Sequence, residues 1–395
     1  MSAKRKKIEQ QELSGLKYFK VLSDILGGLH DAGCDKDRAG NRKLHMDQYM
    51  SLLLLYMFNP ICSSLRSIQQ VSELKKVQSI LGCSRASLGS FSEASGVFDS
   101  TLMQEIVENL SLKLEPVSGH NDKLNDLTGQ LVAIDGTLIP ALSKIGWAIW
   151  KNDKNAIKAH TTFDIEKHVP LRMTITDGNA NEKEVLRAEL EPGRIYVIDR
   201  GYAGLQLLQD ILNAGSSFVC RIRDNSVYDI LEDYDVSERL QDTIAFDCKI
   251  RLGCNKKTKE MLKEPIRLVA IKCKPHKKRY HIARGGPEQG EVLLVATDIF
   301  DVDADVIALI YKHRWAVEIF FRFFKHILGC RHLISHSENG IELQMYAAII
   351  ACMLIALWTG RKPTLRTYEM LCWYFTGMAD EEELMAHIAR LQKQD

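Results

Sequence analysis

The chain has 395 residues, 46% hydrophobic and 26% charged, the composition of a folded globular protein long enough for two or three domains. Its 52 basic and 51 acidic residues leave a net charge of +1, so global charge marks out neither a polyanion-coating protein nor an acidic tail. Ten cysteines without a CxxC pair and a basic, polar start argue against a disulfide scaffold or a secretory leader, and predict free thiols in a reducing cytoplasm.

From residue 10 to about 116, apolar positions recur at helical spacing, which predicts a helical region. Within it the spacing predicts a helix over 71–81 closed by Gly82, with Ser84 as the cap of a second segment. GCSRASLGSFSEAS then has the outline of a helix-turn-helix, although serines are equally ordinary caps and turn formers. The polar stretch 119–128 (GHNDKLNDLT) reads as a linker.

From residue 131 the texture changes. Strands are expected at 131–139, 156–164 and 171–176, followed by a helix at 181–190, a strand at 194–198, a helix at 205–212 and a strand at 217–222. That order predicts an α/β sheet that begins antiparallel and continues parallel. Residues 224–290 interrupt it with β-rich runs at 244–252, 266–273 and 280–283, and between Lys249 and Arg284 there are thirteen Lys/Arg against two acids. Such a cluster, which includes Lys277, Lys278 and Arg279, suits a phosphate backbone or simply a solvated surface. A buried strand returns at 291–297, and helices follow over 311–325, 340–359 and the tail. The apolar runs 50–58 and 346–358 fall short of a bilayer span, which predicts buried helices and no membrane partner.

The chemistry concentrates at three places. Asp135 in LVAIDGT and Asp199 in IYVIDRGY each end an apolar strand, and the carboxyl ends of strands are where ligands gather in open α/β sheets. In YKHRWAVEIFFRFFK, residues 311–325, the steps between Tyr311, Arg314, Glu318 and Lys325 place all four within roughly 60° on one helix. Ile310, Val317, Phe321, Phe324 and Leu328 share the adjoining face. An amphipathic helix with an Arg314–Glu318 ion pair accounts for that stretch equally well, and the two aspartates tip the balance. Three carboxylates offer all-oxygen ligation to Mg²⁺, or to Mn²⁺ as a substitute. Two such ions about 4 Å apart support an in-line displacement at phosphorus. Lys158 and His160 in AIKAHTTFD, Arg200 and Tyr202 beside Asp199, and Trp315 beside Arg314 are further candidates to face this site; His160 is more often a core histidine, Arg200 and Tyr202 could simply orient the turn, and Trp315 could equally fill the core.

IDGT, VIDRGY and Tyr311-x2-Arg314-x3-Glu318-x6-Lys325 together resemble the DDE transposases of the bacterial insertion sequence 4 family, whose signature is that Tyr-Arg-Glu-Lys spacing. The resemblance implies a ribonuclease-H-like core with a β-rich insertion, fitted by the 118 residues between Asp199 and Glu318. The implied division is a helical DNA-binding domain (1–118), a first part of the core (129–223), a basic β-rich insertion (224–290), a second part of the core (291–360) and a helical tail (361–395). Asp135, Asp199 and Glu318 would bind two Mg²⁺ ions, and Tyr311, Arg314 and Lys325 would hold phosphates of the element's end. The expected activity is metal-dependent cleavage at insertion-sequence ends and transfer of the 3′ hydroxyl into target DNA. The expected partners are double-stranded DNA, as terminal inverted repeats and target, and a second copy of the chain in a synaptic homodimer. The expected location is the bacterial cytoplasm, at the nucleoid when bound. Two alternatives stay open: a catalytically silent DNA-binding repressor of the same fold, and a two-metal nuclease without strand transfer. Hairpin-forming relatives hold a flipped base on an aromatic of the insertion. Here the tryptophans stand at 147, 150, 315, 358 and 373, all outside it, which leaves Tyr228, Tyr234 and Tyr280 for that stacking.

Overall fold

The computed structural model describes residues 25–32, 42–117, 122–124, 127–151, 154–253, 262–273, 292–330 and 332–392. The basic residues Lys277, Lys278 and Arg279, and the strand expected at 280–283, lie outside the described residues. Before the first strand come α1 (Leu29–Ala32), α2 (Met46–Phe58), α3 (Leu65–Ser72), α4 (Lys75–Leu81), α5 (Leu88–Val97) and α6 (Leu102–Leu112). The sequence of α2, MDQYMSLLLLYMF, is apolar on nearly every side, and the helix is buried along almost its whole length.

The helix expected over 71–81 is two helices. The Ser72 hydroxyl bonds back to Gln69 O (2.6 Å) and accepts the Ala86 N–H (3.1 Å), which ends α3, and Leu74 is extended before α4 begins. Gly82, at φ 61°, closes α4 at the expected place. The cap of α5 is Ser87 rather than Ser84, because the Ser87 hydroxyl accepts the Ser90 N–H (3.1 Å).

The sheet follows the predicted order. β1 (Gln130–Ala141), the short β2 (Ile149–Trp150), β3 (Lys154–Asp164) and β4 (Val169–Asp177) are antiparallel neighbours. α7 (Glu182–Ala188) then leads to β5 (Arg194–Ile198) and α8 (Leu205–Asn213) to β6 (Ser217–Arg221), and β1, β5 and β6 run parallel. β7 (Tyr228–Tyr234), β8 (Ile244–Leu252) and β9 (Ile266–Lys272) lengthen the same sheet through β10 (Val292–Thr297), in the order β6-β10-β9-β8-β7. The outermost strand, β7, carries Asp229, Glu232 and Asp233 and is largely exposed, a charged edge that discourages further pairing. One member of the basic cluster points inward. Arg267 makes two bonds to Asp247 (2.9 and 2.7 Å) and a third to Val302 O (2.6 Å), and both charged side chains are only 6% exposed.

α9 (Ala304–His313), α10 (Trp315–His326), α11 (Glu338–Thr359), α12 (Leu365–Thr376) and α13 (Glu381–Gln392) complete the fold. α10 packs on β1, while α11 packs on β4 and on α2, α5 and α6. With 22 residues and a mean hydropathy of 1.9, α11 is long and apolar enough to cross a membrane, contrary to the reading of 346–358, but 89% of its apolar window is buried inside the fold. The two ends of the chain share this core. Asn339 donates to Ser95 O and Phe98 O (both 2.7 Å), the Ser100 hydroxyl donates to Glu342 (2.6 Å), and the Tyr368 hydroxyl donates to Met57 O (2.7 Å).

Candidate active site

The parallel pairing of β1 with β5 sets the first two acids beside each other. Ala133 is in register with Val197 on strands about 4.8 Å apart, and two residues further along stand Asp135 and Asp199. Asp199 follows the end of β5 as expected, but Asp135 does not end its strand, because β1 runs on to Ala141 in its pairing with β3. Each carboxylate is aimed by a local amide: Gly136 N–H donates to Asp135 Oδ1 (2.8 Å) and Gly201 N–H to Asp199 Oδ1 (2.7 Å). Both amides belong to glycines for a steric reason. A Cβ on Gly201 would stand 2.9 Å from Asp199 Oδ1, and one on Gly136 would stand 3.0 Å from Glu182 Oε1.

The third acid arrives through a helix junction. In place of one helix over 311–325, α9 and α10 meet at Arg314, which keeps helical angles (φ −50°, ψ −34°) while the ladder tightens around it. Arg314 N–H bonds Tyr311 O (3.2 Å) and Val317 N–H bonds Arg314 O (3.3 Å), both three-residue steps. Tyr311, Arg314 and Glu318 still share one face. Arg314 Nη2 lies 2.7 Å from Glu318 Oε1, Nη1 lies 3.7 Å from Asp135 Oδ2, and the guanidinium carbon is 6.0 Å from the centre of the Tyr311 ring. Lys325 is half-buried in the last turn of α10, about 10 Å further along the axis than Glu318. The predicted apolar face is buried throughout at Ile310, Val317, Phe321, Phe324 and Leu328.

Burial pushes the Asp135 carboxyl up to about 7; Arg314 and the Gly136 amide oppose the rise, and Asp199 and Glu318 add to it. An acid raised this way beside two like charges marks a site short of positive charge. Oxygen donors of this kind fit a hard divalent cation. The three acids are not drawn into a tight cluster, however. Among the described residues, the set whose ligand atoms all lie within 4.8 Å of one another is His30, Asp31 and His45, in the N-terminal helices.

The other predicted residues fall in different surroundings. Lys158 pairs with Glu182 (3.2 Å) and donates to Ala180 O (3.1 Å), so it braces the start of α7 next to the site. His160 is opposite Gly136 on β3, is buried, shares a hydrogen bond with the Thr176 hydroxyl (2.9 Å), and is pushed down to about 4, chiefly by burial. It is a neutral histidine inside the sheet. Arg200 is exposed beside Asp199, and Trp315 is 53% exposed at the start of α10.

Tyr202, a candidate from the sequence, borders the acids together with two residues that were not, Glu182 and Arg221. Glu182 lies against Gly136, and the buried Tyr202 hydroxyl is influenced by Glu182, Asp135, Asp199 and Arg314. Arg221 follows Cys220, which is in register with Ile198, so it stands beside Asp199; its Nε is buried without a hydrogen-bond partner. Two of these carried a signal in the sequence. Tyr202 closes the IDRGY motif, and Arg221 ends the next strand in the way Asp199 follows its own.

Residues 126–354 match the family described as Transposase DDE domain. The chain is 28% identical over 227 residues to a protein of Sinorhizobium fredii named as transposase y4zB, covering 57% of this chain and 59% of that one. It is 25% identical over 226 residues to a protein of Geobacillus stearothermophilus named as the transposase for insertion sequence element IS5377, covering 57% and 55%. It is 24% identical over 275 residues to a Synechocystis protein named as the transposase for insertion sequence element IS4SA, covering 68% and 71%. The chain thus spans somewhat over half the length of the first two relatives.

Proposed function

This chain belongs to the transposase DDE domain family, and on that premise we propose that it cuts DNA at the ends of an insertion sequence and transfers the freed 3′ hydroxyl into target DNA. The observation that carries the proposal is the placement of Asp135 on β1 and Asp199 just past its parallel neighbour β5, with Glu318 tied to Asp135 through Arg314. The antiparallel group β4-β3-β1 followed by parallel β5 and β6, with acids on the central pair, supports a ribonuclease-H-like core that β7–β9 extend.

Asp135, Asp199 and Glu318 would hold two Mg²⁺ ions, with Mn²⁺ as a substitute. Bound there, such ions activate the attacking oxygen and stabilise the leaving oxygen at phosphorus. Water is the nucleophile in cleavage and the 3′ hydroxyl is the nucleophile in joining, with no covalent enzyme intermediate. Arg314 grips phosphate with its planar fork, a geometry in which it already faces the carboxylates of Glu318 and Asp135. Burial raises the Tyr311 phenol, which keeps it a proton donor to a phosphate oxygen. Lys325, two turns on, supplies a point charge further along the strand, and Arg200, Arg221 and Trp315 border the approach. Lys158 orders the rim through Glu182.

The N-terminal helices recognise the terminal inverted repeats, Lys277, Lys278 and Arg279 follow the backbone, and two copies hold two ends in a synaptic homodimer. The protein works on the bacterial nucleoid in the cytoplasm. A cleavage and joining assay on duplexes carrying the element's own termini, with Mg²⁺, tests the proposal. Wild type nicks and joins, and Glu318→Gln does neither. End binding without chemistry in both proteins would indicate a repressor, and cleavage without joined products would indicate a nuclease.

A further inference from the structure

The Tyr202 side chain is 1% exposed, and its hydroxyl has no hydrogen-bond partner. Buried hydroxyls in folded proteins are almost always paired, so an orphan at the edge of a candidate active site calls for an explanation. Its backbone is locked to the neighbouring acid: Tyr202 N–H bonds Asp199 O (3.1 Å), and Gly204 N–H bonds Tyr202 O (2.6 Å). The ring is part of the hydrophobic core and cannot swing out to solvent. The hydroxyl is thereby held near the turn that carries Asp199, where it feels the charges of Glu182 on α7, Asp135 on β1 and Asp199 after β5.

Those carboxylates have other engagements. Asp135 Oδ1 accepts from Gly136 and its Oδ2 faces Arg314, Asp199 Oδ1 accepts from Gly201, and Glu182 Oε1 faces Lys158. A phenol keeps its proton at ordinary working pH, so the group is a donor there. A permanent donor without an acceptor, rigidly placed beside acids that would turn toward a cation, is half of a hydrogen bond that forms on loading.

We propose that Tyr202 is a positioning residue for the metal site: in the cation-loaded protein its hydroxyl donates to a carboxylate oxygen of the Asp135–Asp199 pair and fixes which oxygen faces the ion. The proposal rests on the reading of Asp135, Asp199 and Glu318 as the cation site. Supporting hydrogen bonds of this kind orient metal ligands, and their loss lowers affinity by about tenfold or more.

The test is Mn²⁺ binding to the full-length, DNA-free protein, followed by electron paramagnetic resonance, together with thermal melts of the metal-free protein. Asp199→Asn defines the share of binding that belongs to this site. Tyr202→Phe keeps the ring and should weaken that share about tenfold or more. Its metal-free melting temperature should be unchanged or higher, because an unsatisfied hydroxyl has been removed. Unchanged Mn²⁺ affinity in Tyr202→Phe, with or without a lower melting temperature, would make the hydroxyl merely structural and overturn the proposal. Equal Mn²⁺ binding by wild type and Asp199→Asn would instead remove the cation site itself, and the proposal with it.

Discussion

Arg314 Nη2 lies 2.7 Å from Glu318 Oε1, one helical turn further along, in the same side chain whose Nη1 faces Asp135. A single guanidinium therefore serves as the counter-ion of a helix-borne acid and of a strand-borne acid. A DNA phosphate that engages Arg314 must compete with both.

Arg314→Ala is expected to weaken binding to the element's ends and to lower the salt dependence, by about 0.9 in the slope of log K against log salt for one lost phosphate contact. Titrations at several salt concentrations measure this. An unchanged slope would leave Arg314 as an internal counter-ion alone.

Asp135→Ala, Asp199→Ala and Glu318→Gln should each leave the circular dichroism spectrum in place and abolish cleavage. Several kcal/mol of charge stabilisation at phosphorus corresponds to a rate loss on the order of a thousandfold. Normal turnover in any one variant would take that residue out of the set.

The metal-free protein should lose stability as pH rises. Asp135, pushed up to about 7 chiefly by burial, binds its proton more tightly folded than unfolded. Its contribution is full below the ordinary carboxylate range and is lost as pH rises through about 7. Mn²⁺ affinity should climb over the same window, since binding displaces that proton. Melts between about pH 5 and 8 should show wild type losing ground to Asp135→Asn, and a constant gap would mean that Asp135 is ionised throughout.

Arg267→Ala should destabilise the fold by about 3–5 kcal/mol, because it leaves Asp247 buried without its partner. Arg267→Met combined with Asp247→Leu should recover most of that loss. Denaturant titration would reveal a surface role if the single variant were neutral.

Replacing Lys277, Lys278 and Arg279 with Ala should reduce DNA affinity and leave Mn²⁺ binding intact. Equal DNA affinity would make this segment a spectator.

The strands beside Asp135 and Asp199 were legible because each acid follows a continuous apolar run, although β1 continues past Asp135 to Ala141, and the apolar stripe of residues 310–328 was legible from its spacing. The junction at Arg314 was not. Its backbone stays helical and the spacing runs through unbroken, so only the tightened hydrogen bonds mark it. Tyr202 was legible from its place beside Asp199, whereas Arg221 was missed because its place beside the acids depends on the register between strands. Arg267 misled the reading of charge: as a letter among lysines it looked like surface, but its partner Asp247 lies on the adjacent strand. Ser72 likewise ended a helix through a bond to Ala86, a contact between positions that no helical period relates.

The packing of the N-terminal helices on α11 also bears on when the protein exists as a working object. The bond from Ser100 N–H to Asn339 joins residues 239 positions apart. At about 5–20 residues per second on the ribosome, the early helices wait roughly ten to fifty seconds for the helix that covers them. A product truncated before α11 leaves those apolar faces bare, a substrate for chaperones and proteases. Translation to residue 359 thus acts as a quality gate, and the N-terminal helices are completed only together with the helix that follows Glu318.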